Sequence, residues 1–318
     1  MKYHYYPGCS LEGTALEYDR STRAVLAALG VELSEIEGWS CCGASAAEAT
    51  SGLLALALPA RNLALAERQA VPMDVLVPCS ACYLNLKTVQ EKTRTDSGLA
   101  ATINTVLGEE QLHLHGRLRV RHLLDVLSAD LGAEAIRPKV VRPLTGLRIA
   151  PYYGCQCLRP YADFDDPELP VSMEPLIRVA GAEVFPWRMG GRCCGASHMS
   201  TQREVGTALV ADILDAARGA DAVVTVCPMC QMNLEAFQGA AGRAVSKDLH
   251  ISVLYLPQLI GLALGLGAAE MGLDMNLAFH ADVKQKIAFA AETAEAERPA
   301  GDGARGQGRG FPAAGKTC

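Results

Sequence analysis

A five-residue string that occurs twice constrains this chain more than anything else in it. Cys41-Cys42-Gly43-Ala44-Ser45 returns as Cys193-Cys194-Gly195-Ala196-Ser197. Each copy has a single cysteine upstream (Cys9; Cys155) and a C-x-x-C downstream (Cys79/Cys82; Cys227/Cys230). The first half reads C-x31-CC-x36-C-x2-C and the second C-x37-CC-x32-C-x2-C. The flanks repeat as well: Tyr5-Tyr6-Pro7-Gly8 answers Tyr152-Tyr153-Gly154, and Val75-Leu76-Val77-Pro78 answers Val223-Val224-Thr225-Val226. So long a period exceeds the roughly 20–50 residues of solenoid units. In a chain of 318 residues it predicts two domains of one fold, 1–140 and 146–290. The boundary is placed at Pro138–Thr145. From Ala291 to Cys318 the composition shifts to Gly, Ala, Arg, Glu and Pro, which reads as a disordered tail.

Within each half the pattern alternates. Strands are predicted at Tyr3–Pro7, Val31–Ile36, Val75–Val77, Leu147–Tyr152, Ala182–Trp187, Ala222–Val226 and Val253–Tyr255. Helices are predicted at Glu17–Leu29, Ala46–Ala70 (kinked or interrupted at Pro59), from Cys79 to Val89, and at Arg119–Leu131, Pro175–Ala180 and Thr201–Ala217. Glu91–Gly116 reads as polar and irregular. The expected fold class is α/β: two tandem duplicated domains, each a small, mainly parallel sheet flanked by helices. Ligands gather at the carboxyl ends of such strands. Cys9, Cys41/Cys42 and Cys79 each follow a predicted strand, so remote positions converge on one edge.

Five cysteines per half select among metals. A structural zinc site takes four ligands and leaves one over. Adjacent cysteines diverge in extended backbone, which is awkward for one ion and suits a polynuclear cluster. A C-x-x-C at a helix N-terminus places thiolates where the helix dipole favours negative charge. Iron–sulfur is favoured over zinc or a disulfide scaffold. Twelve cysteines without an apolar leader at Met1-Lys2-Tyr3-His4 fit a reducing, cytoplasmic setting.

On these paired motifs the chain resembles the catalytic B subunit of heterodisulfide reductase, over roughly residues 1–260. The resemblance implies a noncubane [4Fe-4S] cluster in each half. One is ligated by Cys9, Cys41, Cys42, Cys79 and Cys82, the other by Cys155, Cys193, Cys194, Cys227 and Cys230. It implies a disulfide oxidoreductase, CoB–CoM heterodisulfide reductase-like, that cleaves or forms a disulfide between two clusters in one-electron steps. Implied partners are a cubane [4Fe-4S] protein resembling the family's C subunit, together with a flavoprotein resembling its A subunit. The substrate is a small-thiol disulfide or a lipoyl or sulfur-carrier protein. The alternative is a paired-CCG electron-relay subunit of lactate or glycolate oxidation, or of a quinone-linked reductase. A zinc-stapled scaffold is the non-enzymatic competitor. The second half departs from the family spacing, Gln156 stands where methanogen members tend to carry histidine, and Cys157 is an extra thiol.

Catalytic residues are not fixed by the sequence. The candidates are His198, Cys157 and Gln156, each set against a packing or surface role. Trp39 and Trp187 precede the paired cysteines and are expected to shield them. Cys318 reads as an incidental thiol. Arg117, Arg119, Arg121 and His122 are weighed as a docking patch against a solvated helix face. A formal charge of −6 argues against nucleic acid as a partner. Leu254–Ala269 is apolar but too short for the roughly 20 residues of a membrane span, so it reads as a buried helix.

Overall fold

The computed structural model describes residues 1–44 and 46–296. Its strands are short and almost wholly buried at the sheet centres. In the first half β1 (Lys2–Tyr5), β2 (Glu32–Glu35), β3 (Val75–Val77) and β4 (Val120–His122) pair in the order β2-β1-β3-β4. In the second half β5 (Arg148–Tyr152), β6 (Glu183–Val184), β7 (Ala222–Thr225) and β8 (Ser252–Tyr255) pair in the order β6-β5-β7-β8. Every pairing is parallel. The register repeats too, with Val77 opposite His122 and Thr225 opposite Tyr255. Runs such as Val75-Leu76-Val77 carry no polar alternation because helices cover both faces of a parallel sheet.

The helices of the first half are α1 (Gly8–Glu12), α2 (Leu16–Ala28), α3 (Ala46–Thr50), α4 (Gly52–Arg68), α5 (Ser80–Thr95), α6 (Ser97–Gly108), α7 (Leu123–Asp125) and α8 (Gly132–Ile136). Those of the second are α9 (Glu174–Val179), α10 (Arg203–Ala216), α11 (Pro228–Ala236), α12 (Gln238–Val245), α13 (Leu256–Ala263) and α14 (Ala281–Ala296). Thus β3 leads directly into α5 and β7 into α11, delivering each C-x-x-C to a helix start.

Four local expectations are corrected. Arg119–Leu131 is not one helix: Val120–His122 is the fourth strand, and helix begins only at Leu123. Three residues are too few to display a period of two, and Leu123, Leu124 and Leu127 dominate the pattern. Glu91–Gly116 is largely helical, because Asp96 accepts the Leu99 N–H at 2.9 Å and caps α6, whose Ile103 and Leu107 face the core. The expected helix Ala46–Ala70 breaks at Ser51, where the hydroxyl caps α4, whereas Pro59 lies buried inside α4 without ending it. Finally, α14 carries helix through Ala296, into the stretch expected to be disordered. The rest of that stretch, Cys318 included, lies outside the described residues.

The two halves share an apolar core. One continuous cluster runs from Tyr3 and Leu76 to Leu259 and Val283. Across it, α2 packs on α13. Tyr18 of α2 stacks on Tyr255 with centroids 4.0 Å apart and planes 3° from parallel, an arrangement worth about 1 kcal/mol beyond its buried area. The apolar stretch after β8 is the fully buried α13. Among the described residues no helix is long and apolar enough to cross a membrane.

Candidate iron–sulfur centres

Each half assembles its five cysteines from three strand ends. In the first, Cys9 lies in α1 just after β1, Cys41 and Cys42 in the loop after β2, and Cys79 and Cys82 at the start of α5. The Sγ atoms of Cys9 and Cys41 are 3.6 Å apart, and those of Cys42 and Cys82 are 3.4 Å apart. Cys79 also acts electrostatically on Cys82, and Cys42 on Cys41, so the five thiols influence one another in series. In the second half Cys194 and Cys230 are 3.6 Å apart, Cys227 acts electrostatically on Cys230, and Cys193 on Cys155. All ten of the motif cysteines are drawn into these two sets. Cys9, Cys41 and Cys193 are exposed, Cys155 is half-buried, and the other six are buried.

The surroundings repeat residue by residue. The Asn85 and Asn233 amides donate to the carbonyls of Cys42 and Cys194, at 3.2 and 2.7 Å. The Tyr6 and Tyr152 hydroxyls donate to the carbonyls of Ser40 and Arg192, one residue before each cysteine pair, at 2.7 and 2.6 Å. Gly43 and Gly195 donate their N–H to Cys41 and Cys193 Sγ, each at 3.4 Å. Gly8 and Gly154 both have positive φ, +71° and +73°. A Cβ there would stand 2.9 Å from Cys82 Sγ or 3.0 Å from Cys230 Sγ. The sequence shows these residues as repeats but assigns them no contact with the thiol loops. The recurrent Tyr-x-Gly-Cys flanks and the Asn that follows each C-x-x-C were the available signals.

Proton affinities follow these contacts. The Cys42 thiol is driven down to about 3, first by the bonds from Cys41 and Cys82. Cys193 falls to about 5, first through Cys155, then through the Gly195 N–H and the positive charge of His198 and Arg159. Cys227, the N-cap of α11, falls to about 7, led by the Cys230 thiol and helped by the Met229 and Cys230 backbone amides at the helix start. Neighbouring thiols (Cys42 and Cys79; Cys194 and Cys227), and after them burial, push Cys82 and Cys230 up. Each set therefore favours thiolate at defined sulfurs. Among the described residues no group of three or more His, Cys, Asp or Glu is arranged around a single ion. Five soft sulfur donors gathered at one sheet edge, cradled by glycines that leave no room for a Cβ, fit a polynuclear iron–sulfur group instead.

The lesser candidates separate. His198 is half-buried on the turn after Cys194, with its charge felt at Cys193. Gln156 is half-buried beside Cys155. Cys157 is fully buried, donates to the Tyr153 carbonyl at 3.2 Å, and is pushed up to about 12 chiefly by burial, so it stays a protonated thiol. Trp39 and Trp187 are half-buried and lie against Tyr6 and Tyr152, with centroids 5.4 and 6.2 Å apart. Trp39 also lines a cavity of about 570 Å³ that opens over Cys9.

The basic cluster does not lie on one helix face: Arg117 and Arg119 are exposed before the strand, whereas Arg121 and His122 turn inward. Arg121 is mostly buried and paired with Asp125 and Asp130, and Arg119 pairs with Asp74. His122 is fully buried, and burial lowers it to about 3, so its ring is neutral. Its Nδ1 accepts the Leu124 N–H at 3.1 Å, which leaves the proton on Nε2, facing Ser80 Oγ at 3.2 Å.

Known proteins share the domain and the fold. Residues 3–87 and 149–235 each match the cysteine-rich domain, CCG. The chain is 38% identical to the 8-methylmenaquinol:fumarate reductase membrane anchor subunit of Wolinella succinogenes, over 87% of this chain and 96% of that one. It is 29% identical to the B subunit of the ferredoxin/F(420)H(2)-dependent CoB-CoM heterodisulfide reductase of Methanosarcina acetivorans, over 90% and 97%. A crystal structure of a hypothetical protein from Helicobacter pylori shares the fold, with a TM-score of 0.72 at 16% identity over 88% of this chain and 52% of that one. The two five-thiol sets lie within the two matched segments, and the chain belongs to the CCG family of cysteine-rich iron–sulfur proteins related to the B subunit of heterodisulfide reductase.

Proposed function

We propose that this chain is an electron-relaying iron–sulfur subunit of a multi-subunit reductase, linked to a quinone. Its two noncubane [4Fe-4S] centres are held by Cys9, Cys41, Cys42, Cys79 and Cys82 and by Cys155, Cys193, Cys194, Cys227 and Cys230. Bound there, an iron–sulfur cluster supplies reversible one-electron redox chemistry.

The observation that carries the reading is how exposure is distributed over the sulfurs. Cys9 and Cys41 face solvent in one half and Cys193 in the other, whereas Cys79 and Cys227 lie buried on the side where the halves meet. The Tyr18 hydroxyl reaches the carbonyls just before both buried cysteines, Pro78 at 3.1 Å and Val226 at 3.0 Å. Electrons entering at one exposed edge have a protein-filled route to the other. Asn85, Asn233, Tyr6 and Tyr152 hold the loops that present the thiols, and Trp39 and Trp187 narrow the access of water. The 38% identity to a menaquinol:fumarate reductase subunit supports the quinone link. With no membrane-crossing helix among the described residues, contact with a membrane quinone would go through partners or through the protein surface. Partners of the cubane iron–sulfur and flavoprotein kinds supply and accept the electrons.

A second reading, cleavage or formation of a disulfide, is favoured by the same exposed Cys9, Cys41 and Cys193 edges and by the 29% identity to the heterodisulfide reductase B subunit. The test is anaerobic purification with iron, sulfide and zinc analysis, followed by EPR of the oxidised protein with and without added thiol. Iron with matching sulfide and a thiol-insensitive signal is the expected result. A signal altered by thiol moves the assignment to disulfide chemistry, and zinc without iron overturns both readings.

A further inference from the structure

The duplication is broken at the residue after the first cysteine of each C-x-x-C: Ser80 in one half, Pro228 in the other. Only the first half can therefore reach across with a hydroxyl. Ser80 is buried and donates to the Val226 carbonyl at 3.3 Å. Because Nε2 of His122 carries its proton towards Ser80 Oγ, the serine's own proton is free to point at Val226. Beside it the fully buried Tyr18 spans the Pro78 and Val226 carbonyls, with its ring stacked on Tyr255. A phenol has one proton for two acceptors, so this contact is shared between the halves. Pro78 and Val226 are the residues bonded to the nitrogens of Cys79 and Cys227.

We infer that Tyr18 and Ser80 are positioning residues that form the electronic bridge between the two thiol sets. The inference rests on the reading that both sets hold iron–sulfur centres. Two short routes join them. One runs from Cys79 through the Pro78 peptide, the Tyr18 hydroxyl and the Val226 peptide to Cys227. The other runs from Cys79 along the chain to Ser80 and across to Val226 and Cys227. Tyr18, Ser80, Cys79 and Cys227 are all buried. In each exchange one electron crosses, one centre being oxidised as the other is reduced. Tyr18 and Ser80 keep their protons, and no covalent bond forms or breaks.

The test uses the full chain, loaded anaerobically and reduced stepwise with dithionite, comparing wild type, Tyr18→Phe and Ser80→Ala. Ser21→Ala serves as control, since that buried hydroxyl bonds only to carbonyls within α2. Iron and sulfide content and the urea midpoint of the apo chain report structure. The magnetic splitting between reduced centres and the rate of electron exchange after flash reduction report the bridge. The expected result is retained iron in every variant, with splitting diminished and exchange slowed by roughly tenfold in Tyr18→Phe and Ser80→Ala, the low end for losing an outer-shell partner. Ser21→Ala keeps wild-type values. Should Tyr18→Phe fail to fold, Ser80→Ala decides alone by the same criteria. Wild-type splitting and exchange rate in the iron-loaded variants overturn the bridge and leave the iron–sulfur reading standing. A wild-type chain that takes up no iron overturns both.

Discussion

At the scale of single residues, the site is shaped as much by missing atoms as by thiols. Gly8 and Gly154 combine a positive φ with a sulfur where a side chain would begin, so any Cβ is penalised by both backbone and space. Gly8→Ala is expected to lower the iron content of the first centre while sparing the second, and Gly154→Ala to do the reverse. Metal analysis combined with EPR of each variant checks this, and equal loss from both centres would show that the glycines act on the whole fold instead. Gly43 and Gly195 obey the same logic against other neighbours: a Cβ would meet Ala47 at 2.7 Å or the Gly206 backbone at 2.9 Å. The glycine after each cysteine pair is thus a steric requirement, which explains why the Cys-Cys-Gly string was the most readable part of the sequence.

At the scale of elements, α11 carries a second titrating group besides its cysteines. Glu235 is almost fully buried, accepts the Ala278 N–H at 3.1 Å, and is raised from 4.5 to about 7 mainly by burial. A raised carboxyl pKa means that the folded chain holds a proton that the unfolded chain has already released. Stability is therefore expected to fall as pH rises from about 4.5 to about 7, by up to about 3 kcal/mol. Glu235→Gln should flatten that slope while preserving the acceptor oxygen. Urea titrations of both proteins at several pH values measure it, and parallel slopes would assign the dependence to other groups.

The elements also show what could be read in advance. The strands Val75–Val77 and Ala222–Thr225 were legible as continuous apolar runs before cysteines. The strand at Val120–His122 was hidden by its brevity and by the leucines that follow it. The Ser51 and Asp96 caps outweighed the proline and polar composition that pointed elsewhere. Tyr18 and Ser80 were invisible as a pair because only the folded chain brings residues so far apart in sequence onto the Val226 carbonyl.

At the scale of the whole molecule, duplication has not produced two independent bodies. Their apolar cluster is continuous, Lys87 pairs with Asp163 at 2.6 Å, and the segment after Ile136 is tied to both sides. Lys139 Nζ donates to the Ala28 carbonyl at 2.6 Å, and the Val141 and Arg142 N–H groups to the Ala263 carbonyl, each at 3.0 Å. A chain joined in this way is expected to unfold in a single transition, with residues 1–140 expressed alone failing to give it. Coincident denaturation curves from circular dichroism and tyrosine fluorescence test this; two separated transitions would mean that the halves are autonomous.

The uneven depth of the sulfurs also governs how the molecule ages. Cys9 and Cys41 are close and exposed, whereas Cys42 and Cys82 are equally close but sealed from solvent. Oxygen and peroxide reach the rim first, so a chain stripped of metal in air is expected to weld Cys9 to Cys41 before the inner pair reacts. Peptide mapping of aerated protein would find that crosslink early. The weld would bar metal from returning until a reductant opened it, giving the protein a shelf life set by two atoms at its edge.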